Sequence, residues 1–143
     1  MMSKHSNEAL AYISRGNAYY KKGKYDKAIA AYTEAIRLDP NYAIAYDNRG
    51  NTYLKKGEYD KAIADYSGVI RLDPNDAYAY YSRGFTYGQK GEYDEAIIDY
   101  TEAIRIDPNY AEAYRNRGVA YERQRNDVKA GADFAKCKEL SYE

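Results

Sequence analysis

His5 and Cys137 are the only histidine and the only cysteine in this 143-residue chain, so acid–base or nucleophilic chemistry would have to start from them. A Cys–His or Ser–His pair needs an ordered imidazole. His5 falls in segment 1–8, which reads as an N-terminal tail. Cys137 takes the small-residue register of Ala35 and Ala103, so it reads as a buried thiol. A lone cysteine forms no intrachain disulfide, and a reducing cytoplasm follows as the expected location. Asp26, Glu34 and Asp60 fall on helix starts and outer faces, where carboxylates are solvated. No cluster has metal-ligand spacing. The glycine-containing turns connect helices and do not cradle a phosphate. The residues point to no catalysis, no cofactor and no metal.

What remains is binding chemistry. Arg15, Arg49, Arg83 and Arg117 form a ladder with a step of 34 residues. Its arginines are expected to lay their stems beneath neighbouring rings and reach nearby acids. Asn17, Asn48, Asn51 and Asn116 can each donate and accept at once, which suits a peptide backbone unit. Tyrosine is abundant at 20 copies, and tryptophan is absent. A tyrosine ring stays buried while its hydroxyl reaches water, so most of these rings are read as core.

The elements that position these groups repeat as well. Gly16, Gly50, Gly84 and Gly118 keep the 34-residue step, as do Ala28, Ala62, Ala96 and Ala130, and all three prolines, Pro40, Pro74 and Pro108. A period of this size marks an array of stacked supersecondary units. The boundaries read as a tail at 1–8 and repeats at 9–42, 43–76, 77–110 and 111–143. Within the first repeat, Ala9, Tyr12, Gly16 and Tyr19 step by three and four, and so do Ala28, Tyr32, Ala35 and Leu38. That is helical spacing, broken at Gly23, which suits positive φ after a helix. Asp26 is expected to cap the second helix, and Asp39-Pro40 to open the next repeat as N-cap and first turn. Ser6 or Asn7 caps the first helix in the same reading. Gly16 and its counterparts permit close approach, with Tyr32, Tyr66, Tyr100 and Phe134 opposite. Gly68, inside a helix where other repeats carry Glu34 and Glu102, is worth a loss of about 1 kcal/mol against alanine.

Tyr12-x2-Arg15-Gly16-x2-Tyr19, then Ala28-x3-Tyr32, then Pro40, resembles the tetratricopeptide repeat, with Tyr12 and Arg15 where the signature has Trp and Leu. The pattern recurs from Tyr46 to Pro74, from Tyr80 to Pro108 and, without the proline, from Tyr114 to Phe134. The resemblance implies an all-α fold: a right-handed α-solenoid of about eight antiparallel helices in four hairpins. The fourth repeat reads as a C-terminal cap. Its Gly131 and Lys138 stand where Ile29/Ile36, Ile63/Ile70 and Ile97/Ile104 form an apolar stripe.

Positions that vary between repeats along one face of each first helix are free for a ligand. They read Leu10/Ile13/Asn17/Tyr20, Ile44/Asp47/Asn51/Leu54, Tyr78/Tyr81/Phe85/Gly88 and Glu112/Arg115/Val119/Glu122. In the family this stripe lines a concave peptide groove. The expected contacts are Ile13, Asn17, Tyr20, Asp47, Asn48, Asn51, Leu54, Tyr78, Tyr81, Phe85, Arg115 and Asn116. The third repeat would supply an aromatic pocket with a gap at Gly88, and Lys21, Lys55, Gln89 and Arg123 would form a rim. The clamp that holds chaperone C-termini in this family combines two asparagines with three cations. Its positions here read Ile13, Asn17, Asn48, Tyr78 and Ser82, with the amides but none of the cations. A carboxylate there would be desolvated without a partner.

The chain has 22 basic and 22 acidic residues, and no basic excess of the kind nucleic-acid binding requires. No apolar run approaches membrane-spanning length, and Met1-Met2-Ser3 opens no apolar leader. The expected function is a non-catalytic protein-interaction module that takes a peptide or helix of a partner protein. The expected state is a monomer or weak homo-oligomer, with no nucleic acid and no membrane. The alternative is a self-assembly unit, in which the unpaired face of the first helix packs on another molecule.

Overall fold

A computed structural model describes residues 4–141; the reading of Met1–Ser3 lies outside them. Among the described residues every element is an α-helix, which bears out the all-α class. The chain divides into two compact units, Met1–Pro74 and Asn75–Glu143. The first holds α1 (Lys4–Lys21), α2 (Tyr25–Leu38), α3 (Ala43–Lys55) and α4 (Tyr59–Leu72). The second holds α5 (Ala77–Gln89), α6 (Tyr93–Ile106), α7 (Ala111–Arg123) and α8 (Asp127–Ser141). In each unit two hairpins pack side by side, α2 against α3 and α6 against α7.

The small-and-large alternation builds each hairpin. Ala28, Ala62 and Ala96 are fully buried, and Tyr32, Tyr66 and Tyr100 are buried over the glycines. A Cβ on Gly16 would lie 2.5 Å from Tyr32 Cε1, and one on Gly118 would lie 2.8 Å from Phe134 Cε1. Only glycine lets these helices approach so closely. The turn glycines are needed for another reason: Gly23, Gly57 and Gly91 have φ of 74°, 76° and 83°. In the fourth repeat that left-handed position is held by Arg125, at φ 61°.

The arginine ladder also reaches its acids. Arg49, Arg83 and Arg117 bind Asp65, Asp99 and Asp133 through two nitrogens each, at 2.7–2.9 Å. The three aspartates are 4%, 2% and 5% exposed. Their guanidiniums also lie over rings, Arg83 at 5.7 Å from the Tyr80 centroid and Arg117 at 5.5 Å from that of Tyr114. Fork geometry and burial together make these strong pairs.

Several local expectations are corrected. Residues 4–8 are helical, so α1 begins inside the segment read as a tail, and Ser6 is no cap. Its hydroxyl donates to Asp39 Oδ2 at 3.1 Å. Asp39 ends α2; it does not start α3. Its carboxylate accepts from the Asn41 amide at 3.2 Å, a local turn that delays the helix until Ala43. Asp26 lies within the first turn of α2 and makes no cap bond; Lys56 Nζ donates to it at 2.5 Å. Cys137 is half-buried, since the outer side of α8 is open. Gly131 and Lys138 are exposed. Most tyrosines are half-buried, and Tyr78 is exposed. A Cβ on Gly68 would meet the Tyr46 ring at 3.1 Å, which offsets part of the gain expected from alanine.

Candidate functional site

The variable stripe of the first unit runs along α1 and α3. Ile13 is only 3% exposed and packs with Ala9, Ala28 and Tyr32 in the core, so it is removed from the groove. Asn17 is exposed, and Tyr20, Asp47, Asn48, Asn51 and Leu54 are half-buried. Asn17 Oδ1 accepts from the Tyr32 hydroxyl at 2.5 Å and from Asn48 Nδ2 at 3.1 Å. The Tyr66 hydroxyl donates to Asn51 Oδ1 at 2.5 Å. Burial and the neighbouring Tyr20 hydroxyl push Tyr32 up to about 12, so it stays a neutral donor. The amide oxygens of Asn17 and Asn51 are thereby held, and both side chains border a cavity of about 290 Å³. Asn17, Tyr20, Lys21, Tyr32, Asn48 and Asn51 line it. Asp47 and Leu54 are not among its lining residues.

The second unit carries the counterpart. A cavity of about 280 Å³ opens beside Phe85 and Gly88, walled by Tyr93, Tyr100, Asn116, Val119, Ala120, Gln89 and Arg123. Phe85, Gly88, Gln89, Tyr100, Asn116 and Val119 hold the same registers, two repeats on, as the six residues of the first cavity. The chemistry differs. Phe85 and Val119 stand where Asn17 and Asn51 do, and Gly88 replaces Tyr20. In the first unit Tyr20 leans on Tyr25 with centroids 5.5 Å apart. Gly88 removes that cover and leaves Tyr93 facing the cavity. A Cβ at Gly88 would find nothing nearer than Tyr100 Oη at 3.9 Å.

Tyr78 and Tyr81, expected in the same pocket, belong to a neighbouring ring cluster. Tyr81 stacks on Tyr110 at 5.0 Å and lies 5.8 Å from Tyr100 and 6.3 Å from Tyr78. Its hydroxyl accepts from Asn116 Nδ2 at 2.8 Å. Burial first, then the Glu112 carboxylate, pushes the Tyr81 hydroxyl up, and burial raises Tyr100 and Tyr110 strongly. Tyr78 is 51% exposed, and Arg115 is exposed nearby. The sequence reading missed Tyr93 and Tyr100 as lining residues because it searched only the first helix of each hairpin. The signal was available: a glycine at the Tyr20 register uncovers whatever ring lies beneath it.

The TPR repeat family model matches residues 16–57, 50–91 and 87–124. A search of curated proteins returns no match. A crystal structure of MamA is 31% identical, with 95% of this chain covering 80% of that one at a TM-score of 0.90. The first TPR of Spaghetti (RPAP3), solved bound to the HSP90 peptide SRMEEVD, is 30% identical over 84% of this chain and 97% of its own, with a TM-score of 0.78. The Arabidopsis OM64 TPR domain is 27% identical over 82% of this chain and 98% of its own, with a TM-score of 0.77. Repeat period, hairpin packing and family match agree, and the chain belongs to the tetratricopeptide-repeat family.

Proposed function

We propose that this chain is a non-catalytic protein-interaction module that takes a short peptide or helix of a partner protein. The anchor is an apolar side chain lodged in the Phe85–Gly88 cavity of the second unit. The observation that carries this reading is the cavity itself, opened by Gly88 and floored by the Tyr93 and Tyr100 rings. Ring faces set beside polar groups such as Asn116 and Gln89 let a pocket of this kind hold a peptide side chain. Asn116 offers an amide to the ligand backbone, and Arg123 offers a charge at the rim. The relative bound to an HSP90 peptide supports peptide capture by this fold. The chaperone carboxylate is not the ligand proposed here, because the clamp's cation positions read Ile13, Tyr78 and Ser82.

The first-unit cavity, with amides in place of Phe85 and Val119, suits a polar side chain or a backbone unit. Balanced charge supports a protein ligand over a nucleic acid. Among the described residues no helix is long and apolar enough to cross a membrane. We place the module in the cytoplasm, on the strength of its single unpaired cysteine. The test is a displayed-peptide selection on the wild-type chain, followed by titration of selected peptides against Gly88→Leu. Filling the cavity is expected to weaken binding at least about tenfold, with helicity unchanged. Unaltered affinity in Gly88→Leu would remove this cavity as the anchor site.

A further inference from the structure

The arginine ladder has one broken rung. Repeats two to four place Asp65, Asp99 and Asp133 against Arg49, Arg83 and Arg117. The register of those aspartates in the first repeat is Ala31. Arg15 therefore lacks the carboxylate that its counterparts bind, and among the described residues it makes no ion pair. Its guanidinium lies over the Tyr12 ring, 4.8 Å from the centroid. Lys27 Nζ lies 5.7 Å from the centroid of the Tyr19 ring, its side chain exposed. Between these groups is a cleft of about 320 Å³ lined by Tyr12, Arg15, Tyr19, Lys27, Ala30 and Ala31. It lies outside the concave cavities already described. Two cations face an open slot at the register that three other repeats fill with a buried carboxylate.

The face around this slot is also uncovered. Ala11, Ser14, Arg15 and Ala18 of α1 are all exposed. Their counterparts in α3 are Ala45, Asn48, Arg49 and Thr52; Ala45 and Thr52 are fully buried, and Ala45 packs with Ala28, Tyr32 and Ala35 of α2. Arg49 Nη1 donates across that packing to Thr33 Oγ1 of α2 at 3.0 Å. The same small-residue surface with an arginine at its centre accepts a helix in one repeat and lies bare in another. Charge then decides what kind of helix fits. We propose that the bare face of α1 and α2 docks an acidic helix of a partner protein, with a carboxylate of that helix entering the Ala31 slot to pair with Arg15 and Lys27. A second copy stacking head to tail is the poorer match. Its α8 would offer Gly131, Ala135 and Lys138 at the registers where α2 has Ile29, Thr33 and Ile36, a cation against cations.

The probe is a fluorescein-labelled, alanine-based helical peptide with glutamates along one face, compared with its glutamine counterpart by fluorescence anisotropy in low salt. The glutamate peptide is expected to bind the wild-type chain about tenfold tighter than the glutamine peptide, as a desolvated charge pair would give. Ala31→Asp supplies the missing acid from within and should abolish that preference, and Arg15→Gln should do the same. Arg71→Gln, an exposed cation of α4, should leave the preference intact. Equal binding of the two peptides, or no binding of either, would overturn the proposal. So would an equal loss in Arg71→Gln, which would mark general charge attraction. Concentration-dependent self-association in sedimentation, lost in Arg15→Gln, would assign the face to a second copy instead. Circular dichroism of Ala31→Asp guards against misfolding, and a higher melting temperature in that variant alone would show the new pair with Arg15 has formed.

Discussion

Gly16→Ala is the most direct test of how the hairpins are held together. Alanine at a helix-interior glycine ordinarily gains about 1 kcal/mol in helix propensity. Here the new methyl would sit 2.5 Å from Tyr32 Cε1, 2.8 Å from Cδ1 and 2.9 Å from Cζ, so the ring must move by about an ångström. Tyr32 is 1% exposed, and its hydroxyl is held by Asn17. Overpacking of this kind costs about 1–3 kcal/mol. Losing the hydrogen bond adds about 1 kcal/mol. The net loss is about 1–3 kcal/mol, and at about 3–4 °C per kcal/mol for a chain of this size the melting midpoint should fall by about 3–12 °C. Gly118→Ala is the internal control. Its neighbour Phe134 is half-buried and carries no hydroxyl, so the ring can yield. Its net effect should lie within about 1 kcal/mol of zero. The assay is thermal and urea unfolding followed by circular dichroism, repeated in a Tyr32→Phe background, where the Gly16→Ala loss should shrink by about 1 kcal/mol. A midpoint for Gly16→Ala at or above wild type would refute the argument that the ring is seated on the glycine.

Other outcomes follow from the same packing. Arg125→Gly should raise the urea midpoint by the equivalent of about 1 kcal/mol, since it relieves a left-handed φ of 61° that glycine holds in the other three turns; no rise would show that Arg125 is unstrained. Asp99→Ala should lower stability by about 3 kcal/mol by removing the buried carboxylate that pairs with Arg83, and combining it with Arg83→Leu should recover part of the loss in a double-mutant cycle. Burial raises the Tyr32 hydroxyl from 10.0 to about 12, so its neutral form stabilises the fold fully below pH 10. That contribution is lost as pH climbs from 10 towards 12, and Tyr32→Phe should flatten the decline in an alkaline titration of the melting midpoint. Phe85→Ala should weaken a selected peptide by about 1–3 kcal/mol with little change in helicity. Tyr81→Ala should instead lower the melting midpoint, because the ring stacks on Tyr110.

The hairpins were legible because each turn, each close contact and each buried ring recurs three or four times in one chain. Gly16 and Tyr32 read as a packing pair by spacing alone, and so do Gly50 and Tyr66. The ion pairs were legible only as far as their arginines, since Asp65, Asp99 and Asp133 look like ordinary surface acids on a helix pattern. The start of α3 was missed because Asp39 closes a turn onto Asn41, and a sequence does not say whether an Asp-Pro pair caps a helix or precedes it by a loop. Ile13 was misplaced because variation along a stripe was taken as exposure. At that register the first repeat buries an isoleucine against Ala9 and Tyr32, while the third stacks Tyr81 on Tyr110.

In a repeat chain, departures from the period carry more functional information than the period does. Gly88 breaks the register of Tyr20 and opens a cavity over Tyr93. Ala31 breaks the register of three buried aspartates and leaves Arg15 and Lys27 beside an empty slot. Neither change is forced by packing, because the neighbouring repeats show that Leu54 and Asp65 fit the same backbone. Tyr32 is buried over Gly16 and Tyr100 over Gly84 at the same register, so packing alone cannot choose between an amide and a phenylalanine at the cavity wall. That freedom lets Asn17 and Phe85, at one register of the same scaffold, present two different chemistries to a ligand.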